Sequence, residues 1–545
     1  MASIQKNVSP LSRALSLMQL EKKDIFTIIM LTFAAGFLAL AIPIAVQTLV
    51  NIVAMGNVVQ PLIVVSFILF LLLLLAGSFA ILEYYIVELI QRRIFVSNAL
   101  LATAHVQAMH LEVREIQNPV ELMNRFFDVT TVQKTSYQLL TKGLAAILQA
   151  IIGSIVLIFY SIYFAFGVLV LLFITWVIVR VLGRTAVNSA IDESYAKLDV
   201  AAWLETIGRN LSMFKFGSSQ TYALQKTDDL TLNYLALRKK HFSTLLKQNL
   251  LSAFFYALVG TSMLGLGGWL VMQGVINLGQ FVAAELIIFG VLSAFLSFIN
   301  KLEYFYDLLA GLDKLGSFED LPKERKGGHS FQVLQAYSVA VSQIIIPNSI
   351  NQSKINLALA AGKNLAIFTH DESTSAYIAE LLVGLREPAA GYIKINDIDI
   401  RQLDLSAMRH HVAFITHIEV LEESILSNLT LQHPDTNLQQ VNQVLNDLGL
   451  TEPIAAQANG LNTVLLHSGK ALTNTQMRLL MIARAILTEP SLIVVDGLLD
   501  ALHGDALDKA CRALQSSEKG WSLIVMTNIP AIAKRFDAVF EIDAA

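Results

Sequence analysis

Six long apolar runs dominate the first half of the chain: Phe26 to Leu49, Ile63 to Val87, Leu144 to Phe164, Phe166 to Leu182, Leu250 to Val271 and Phe281 to Ile299. Each is near or above the roughly 20 residues a helix needs to cross about 30 Å of hydrocarbon. The pattern predicts six membrane-spanning helices. The connections after the first, third and fifth runs are short and uncharged: Asn51 to Pro61, the turn around Tyr163, and Met272 to Gln280. Those after the second and fourth are long and charged, with Arg92, Arg93, Arg114, Arg125 and Lys134 in one and Arg184, Lys197, Arg209, Lys215 and Lys226 in the other. Helix formers alternate with apolar residues there, and Pro119 is their one proline, so the spanning helices are expected to continue well beyond the bilayer. With Lys6, Arg13, Lys22 and Lys23 ahead of the first run, the positive-inside rule places both termini and both long connections in the cytoplasm. The expected location is the cytoplasmic (inner) membrane. The first run is too long for the apolar region of a cleaved signal and has no small-residue cleavage site behind it.

After about Lys301 the pattern changes. Gly, Asp, Lys and Pro return between Gly311 and His329, which reads as a linker, and from Phe331 short β-branched runs alternate with helical stretches. The runs are Val339 to Pro347, Leu365 to Phe368, Tyr392 to Ile395, Val412 to Ile415, Leu492 to Val495 and Leu523 to Met526. They predict a mixed sheet flanked by helices. The expected organisation is an N-terminal cytoplasmic segment (1–23), an all-α six-helix membrane domain with long helical extensions (24–310), a linker (311–329) and an α/β domain (330–545).

Composition sharpens this division. The 545 residues are 54% hydrophobic and 15% charged, against about 25% charged in ordinary soluble domains; the mean hydropathy is +0.57. The net charge of -4 contains no basic excess of the kind that binds nucleic acid. Cys511 is the only cysteine, so an internal disulfide and a multi-cysteine metal site are both excluded.

Several longer stretches resemble the ATP-binding cassette (ABC) superfamily, specifically a half-transporter of the exporter type. Phe126 to Val132 is similar to the family's first coupling region, and Leu204 to Ala223 (LETIGRNLSMFKFGSSQTYA) to its second. Arg386 to Arg409 (REPAAGYIKINDIDIRQLDLSAMR) is similar to the run after the phosphate loop, closest to the haemolysin-type secretion subgroup. Gln476 to Asp496 (QMRLLMIARAILTEPSLIVVD) is similar to the signature helix and the strand after it. The resemblance implies a P-loop-NTPase-like domain behind the membrane helices, with ATP and magnesium as cofactors.

Against that resemblance, most of the family's catalytic positions carry other residues. A phosphate loop needs glycines that let backbone N–H groups cradle phosphate, a lysine for its terminal oxygens and a hydroxyl for magnesium. The aligned stretch is Thr369-His370-Asp371-Glu372-Ser373-Thr374-Ser375-Ala376: it has no glycine, Ser375 stands at the lysine and Ala376 at the hydroxyl. Asp371 and Glu372 add carboxylates where phosphate charge would sit. Asp496 is the candidate magnesium ligand, and equally reads as a carboxylate closing a strand. Gly497 follows where the family has its catalytic carboxylate. The signature Leu-Ser-Gly-Gly-Gln is Leu472-Thr473-Asn474-Thr475-Gln476; His417 stands at the coupling glutamine, Asn528 at the switch histidine and His503 at an inter-subunit aspartate. Tyr337 lies near the place of the family's adenine-stacking aromatic but out of register with it.

Other chemistry-bearing residues read as structural. His410, His411 and His417 fall on a strand and its flanks, as surface histidines rather than metal ligands. Glu285 is expected to snorkel to the interface, and water to account for Glu83 and Glu88 at the end of the second span. Trp176 and Trp269 read as interfacial or packing residues. The expected function is therefore a membrane subunit of an exporter, with peptide or protein cargo implied by the resemblance alone. It is expected to lack intrinsic ATP hydrolysis, to bind ATP and magnesium weakly or not at all, and to pair with an ATPase-competent half. The lipid bilayer is its medium, and a periplasmic adaptor is an implied partner. A non-hydrolysing membrane scaffold and an active homodimeric exporter are the alternatives.

Overall fold

The computed structural model describes residues 8–55, 59–113, 119–329, 334–346, 354–466, 471–515 and 520–542. Lys6, Arg114, Phe331 and Pro347 lie outside them. The chain divides into two compact units: Met1–Met109 with Val113–Pro322, and His110–Glu112 with Lys323–Ala545.

The first unit is all helical. After α1 (Pro10–Leu20), the first apolar run forms α2 (Lys22–Ala39) and α3 (Ala41–Met55). Pro43 lacks the N–H that would reach back to Ala39, which explains the break between them. The second run lies in α4 (Val59–Gln107). The third follows α5 (Val129–Gln138) and a π-helical turn and lies in α6 (Leu144–Tyr160); the fourth starts α7 (Ile162–Val177), which passes through a second π-helical turn into α8 (Gly183–Arg209). Ser161 separates α6 from α7 with extended backbone, φ -164° and ψ 139°. The last two runs lie in α9 (Ser219–Met272) and α10 (Leu278–Gly316). Among the described residues, six helical segments are long and apolar enough to span a membrane. α9, with 54 residues, reaches about 80 Å at 1.5 Å per residue, so the predicted helical extensions are present.

Close packing and buried polar pairs hold this unit. A Cβ on Gly267 would lie 2.9 Å from Cδ2 of Phe281, so the small residue is what lets α9 and α10 approach. Beyond the apolar runs, Lys314 Nζ meets Asp128 Oδ2 at 2.5 Å with both side chains largely buried, and the Tyr195 hydroxyl donates to Asp313 at 3.0 Å. Arg13 on α1 donates to both carboxylate oxygens of Asp320, at 2.8 and 2.7 Å.

Two expectations change here. The stretch 311–329 is not linker from its start: α10 continues to Gly316, because Leu312 and Leu315 pack into a core with Ile90 and Val132. Glu83 is not held in water; it is 7% exposed and bonded to Thr32. Glu285 is half-buried on α10. Trp269 meets Tyr163 edge-on at 6.3 Å and Trp176 stacks on Phe173 at 6.1 Å, and both tryptophans are exposed.

The second unit holds two sheets rather than one mixed sheet. β1 (Val339–Ile345), β2 (Lys354–Leu359), β4 (Tyr392–Ile395) and β5 (Ile398–Asp399) form an antiparallel sheet in the order β2-β1-β4-β5. β3 (Asn364–Phe368), β6 (Val412–Ile415), β7 (Leu492–Asp496), β8 (Ser522–Thr527) and β9 (Ala538–Glu541) form a parallel sheet in the order β6-β7-β8-β3-β9. β2, β5 and β9 lie outside the predicted runs: β2 alternates exposed and buried residues, β5 has two residues, and β9 is largely exposed. The central strands β7 and β8 are buried on both faces and read as continuous apolar runs. Of the helices, α11 (Glu372–Leu382) follows β3 and α12 (Asn474–Leu487) precedes β7. Two apolar cores result, one centred on Leu480, Val495 and Val525, the other on Tyr337, Ile367 and Val494.

Candidate functional site

The carboxyl ends of the adjacent strands β7, β8 and β3 bring Asp496, Thr527 and Thr369 to one edge of the parallel sheet, where ligands of open α/β sheets bind. Thr369 continues from β3, its backbone N–H donating to the Thr527 carbonyl at 3.2 Å. Asp371 then adopts extended backbone and caps α11. Its carboxylate accepts the backbone N–H groups of Ser373 and Thr374, each at 3.1 Å. It also accepts the Thr374 hydroxyl at 2.7 Å and the Ser373 hydroxyl at 2.7 and 2.9 Å. The first N–H groups of a helix have no partner within it and carry the positive end of its dipole. Here a carboxylate of the same chain takes two of them. The Thr374 and Ser373 hydroxyl bonds, aided by those N–H groups, hold the Asp371 carboxyl down to about 2.

Ser375 and Asp496 form the next layer. Ser375 is buried, and its hydroxyl donates to Asp496 Oδ1 across the gap between α11 and β7. Burial pushes the Asp496 carboxyl above the usual carboxylate range; the Ser375 bond opposes this, while Asp500, Glu380 and Glu372 add to it. Ala376 offers a methyl group, and Glu372 is exposed. Asp500 accepts the Thr527 hydroxyl and, at 3.1 Å, the backbone N–H of Asn528. Burial raises its carboxyl too. Among the described residues no cation pairs with Asp496 or Asp500, and no group of three or more His, Cys, Asp or Glu is arranged to hold a metal.

Gly497 makes the turn out of β7 with φ 64° and ψ -7°, its N–H donating to the Met526 carbonyl at 3.1 Å. A Cβ there would meet nothing within 4 Å. Space is open, but the left-handed backbone disfavours a residue with a side chain.

The signature-like residues cap a different helix. The Gln476 N–H donates to Thr473 Oγ1 at 3.2 Å and the Thr473 N–H to Gln476 Oε1 at 2.8 Å, a reciprocal capping box at the start of α12. Asn474 and Thr475 are exposed beside it, and Leu472 is buried. The remaining candidates stand apart. His417 is exposed, with Nδ1 2.6 Å from Thr416 Oγ1 and Nε2 3.0 Å from Glu419. His503 and the Asn528 side chain are exposed. Tyr337 is fully buried in the second core, so it offers no face to a base. His410 and His411 pack edge to face at 5.7 Å.

Sequence reasoning missed Asp500 and Thr527. Their signals are modest: an aspartate four positions after Asp496 and a threonine ending an apolar strand.

Comparison with known proteins places this geometry. Residues 25–295 match the ABC transporter transmembrane region and residues 352–498 the ABC transporter domain. The chain belongs to the ABC transporter family, whose cassette domain implies nucleotide and magnesium. The alpha-hemolysin translocation ATP-binding protein HlyB of Escherichia coli O157:H7 is 22% identical over 291 residues, covering 51% of this chain and 40% of that protein. The ATP-dependent lipid A-core flippase of Chromohalobacter salexigens is 26% identical over 186 residues, covering 34% of this chain and 32% of that protein. The chain thus spans well under two thirds of the length of these curated relatives. A solved bacterial Atm1-family ABC exporter with ATP bound shares the fold, with TM-score 0.81 at 15% identity, covering 96% of this chain and 94% of that one.

Proposed function

We propose that this chain is the non-hydrolysing half of a heterodimeric exporter, moved by the ATP cycle of an ATPase-competent partner half. The observation that carries this is Asp371. Its carboxylate takes the N–H groups at the start of α11 that a phosphate would need. The described residues do not fit nucleotide phosphates and magnesium in this arrangement. A phosphate at α11 would meet the carboxylates of Asp371 and Glu372 with no lysine to offset them, and Asp496 already accepts from Ser375. Hydrolysis further needs a carboxylate to position water, and Gly497 has no side chain. Each tenfold loss of rate corresponds to about 1.4 kcal/mol of barrier, and these losses fall on binding, positioning and charge stabilisation together.

In such a pair each composite site joins one half's phosphate loop to the other half's signature. The partner's phosphate loop would therefore face Thr473–Gln476, where the capping box fixes the helix start without glycines. The charge distribution around the spans supports an inner-membrane location with both termini and both long connections in the cytoplasm. Cargo of peptide or protein character, and a periplasmic adaptor, rest on the likeness of Arg386 to Arg409 to the haemolysin-type subgroup.

The test is co-expression with an ABC half encoded beside this chain, followed by purification and ATP turnover. The expected result is a one-to-one complex whose turnover vanishes when the partner's catalytic carboxylate is removed. Failure to associate with any second half would instead favour a membrane scaffold that uses the cassette domain as a binding surface.

A further inference from the structure

Glu83 on α4 faces Thr32 on α2 within the second predicted span, and both are buried, at 7% and 5% exposed. The Thr32 Oγ1 lies 2.8 Å from the Ile28 carbonyl oxygen and 3.0 Å from Glu83 Oε2. A threonine hydroxyl has one proton and two lone pairs, so it donates to only one of these two acceptors. If it donates to Ile28, Glu83 must supply the proton of the other bond. If it donates to Glu83, an ionised carboxylate sits buried at membrane depth with one neutral donor, a state that favours neutralisation by a proton.

Glu83 has no ion-pair partner among the described residues. On α4 itself, Glu88 pairs with Arg92 at 3.0 Å, Arg93 pairs with Glu21 at 3.0 Å and with Asp24 of α2, and Tyr84 packs edge-on against Tyr137 of α5. Tyr85 and His105 of α4 and Lys22 and Lys23 of α2 complete the titratable groups of those two helices. Lys134 on α5 and Lys142 in the π-helical turn are exposed; α3 carries no titratable side chain; and the Tyr160 hydroxyl of α6 donates to Gln47 at 2.6 Å.

We propose that Glu83 is a proton-binding site of the membrane unit. Its carboxylic O–H donates to Thr32 Oγ1, and the Thr32 hydroxyl donates to the Ile28 carbonyl. α2 and α4 are thus joined by one hydrogen bond, backed by a second within α2, for as long as the proton is held. When the helices part and water reaches the pair, the proton passes to water and the carboxylate is hydrated, so separation of α2 from α4 is linked to proton release.

Infrared spectroscopy of the full chain in lipid nanodiscs at neutral pH tests this directly. The expected result is a protonated-carboxyl C=O band in the wild type that is lost in Glu83→Gln, whose amide still donates to Thr32 and so preserves the packing. Thr32→Val removes the acceptor, and the band should shift to higher frequency while remaining. A wild-type spectrum without any band that Glu83→Gln removes would overturn the proposal. A band insensitive to Thr32→Val would overturn the assigned hydrogen bond, and this second variant decides the matter even if Glu83→Gln does not fold.

Discussion

The strand frame of the second unit and the turn between β3 and α11 lie side by side, yet they are held by different forces. β7 and β8 are buried on both faces, and Leu480, Val494, Val495 and Val525 are fully buried in the two cores. At about 25 cal/mol per Å² of apolar surface removed from water, this frame is stabilised by burial that needs no ligand. The turn from Thr369 to Ser375 is instead held by its own polar side chains: Asp371 onto Ser373 and Thr374, Ser375 onto Asp496. The difference teaches that the strand frame and the turn beside it are stabilised independently. The frame survives wherever apolar volume is kept, while the loop is free to satisfy its donors internally.

The contrast predicts a graded series of effects. The largest belongs to the frame: Leu499→Ala, at a fully buried position, should cost about 2–5 kcal/mol through lost burial and a residual cavity, read as a lowered midpoint in thermal unfolding of the purified protein. Next, Gly497→Glu should cost about 1–3 kcal/mol, because a side-chain residue must take up the left-handed backbone. It should restore no ATP turnover, since the carboxylate alone leaves Ser375 and Asp371 in place; appearance of turnover would blur the distinction between frame and site.

Asp371 comes third. Asp371→Ala should destabilise by about 0.5–2 kcal/mol, the range for loss of an N-cap. The sign of its pH dependence follows from the lowered carboxyl. The contribution is fully present above the ordinary unfolded value of about 4, and is lost as pH falls toward the folded value of about 2. Asp371→Asn keeps a capping oxygen without the charge, so it should flatten that acid limb. An unchanged pH profile would show that the charge contributes nothing to the turn. The smallest effect belongs to His417→Ala. His417 is exposed and tied to Thr416 and Glu419, so stability should change by no more than about 0.5 kcal/mol, and a larger loss would mean that this surface carries structure.

Much of the fold is legible in the residues because long apolar runs and doubly buried strands are their own signal. Tyr392–Ile395 and Val412–Ile415 end where the β-branched runs end. Other features depend on partners distant in sequence. The alternation of Lys354–Leu359 is ambiguous until β1 pairs with it, and the burial of Glu83 requires knowing that Thr32 lies opposite. At the candidate site, the run Thr369 to Ala376, with neither lysine nor glycine, is plain in the sequence. That Asp371 folds back onto α11, and that Asp500 gathers Thr527 and Asn528, follows from turn geometry, which spacing alone does not specify.

The most direct measurement is nucleotide binding and ATP turnover by the purified chain alone, with Asp496→Asn as the control. The account predicts turnover at background level, unchanged by the substitution, and no saturable binding of magnesium-ATP. Robust turnover by the chain alone that Asp496→Asn abolishes would contradict it.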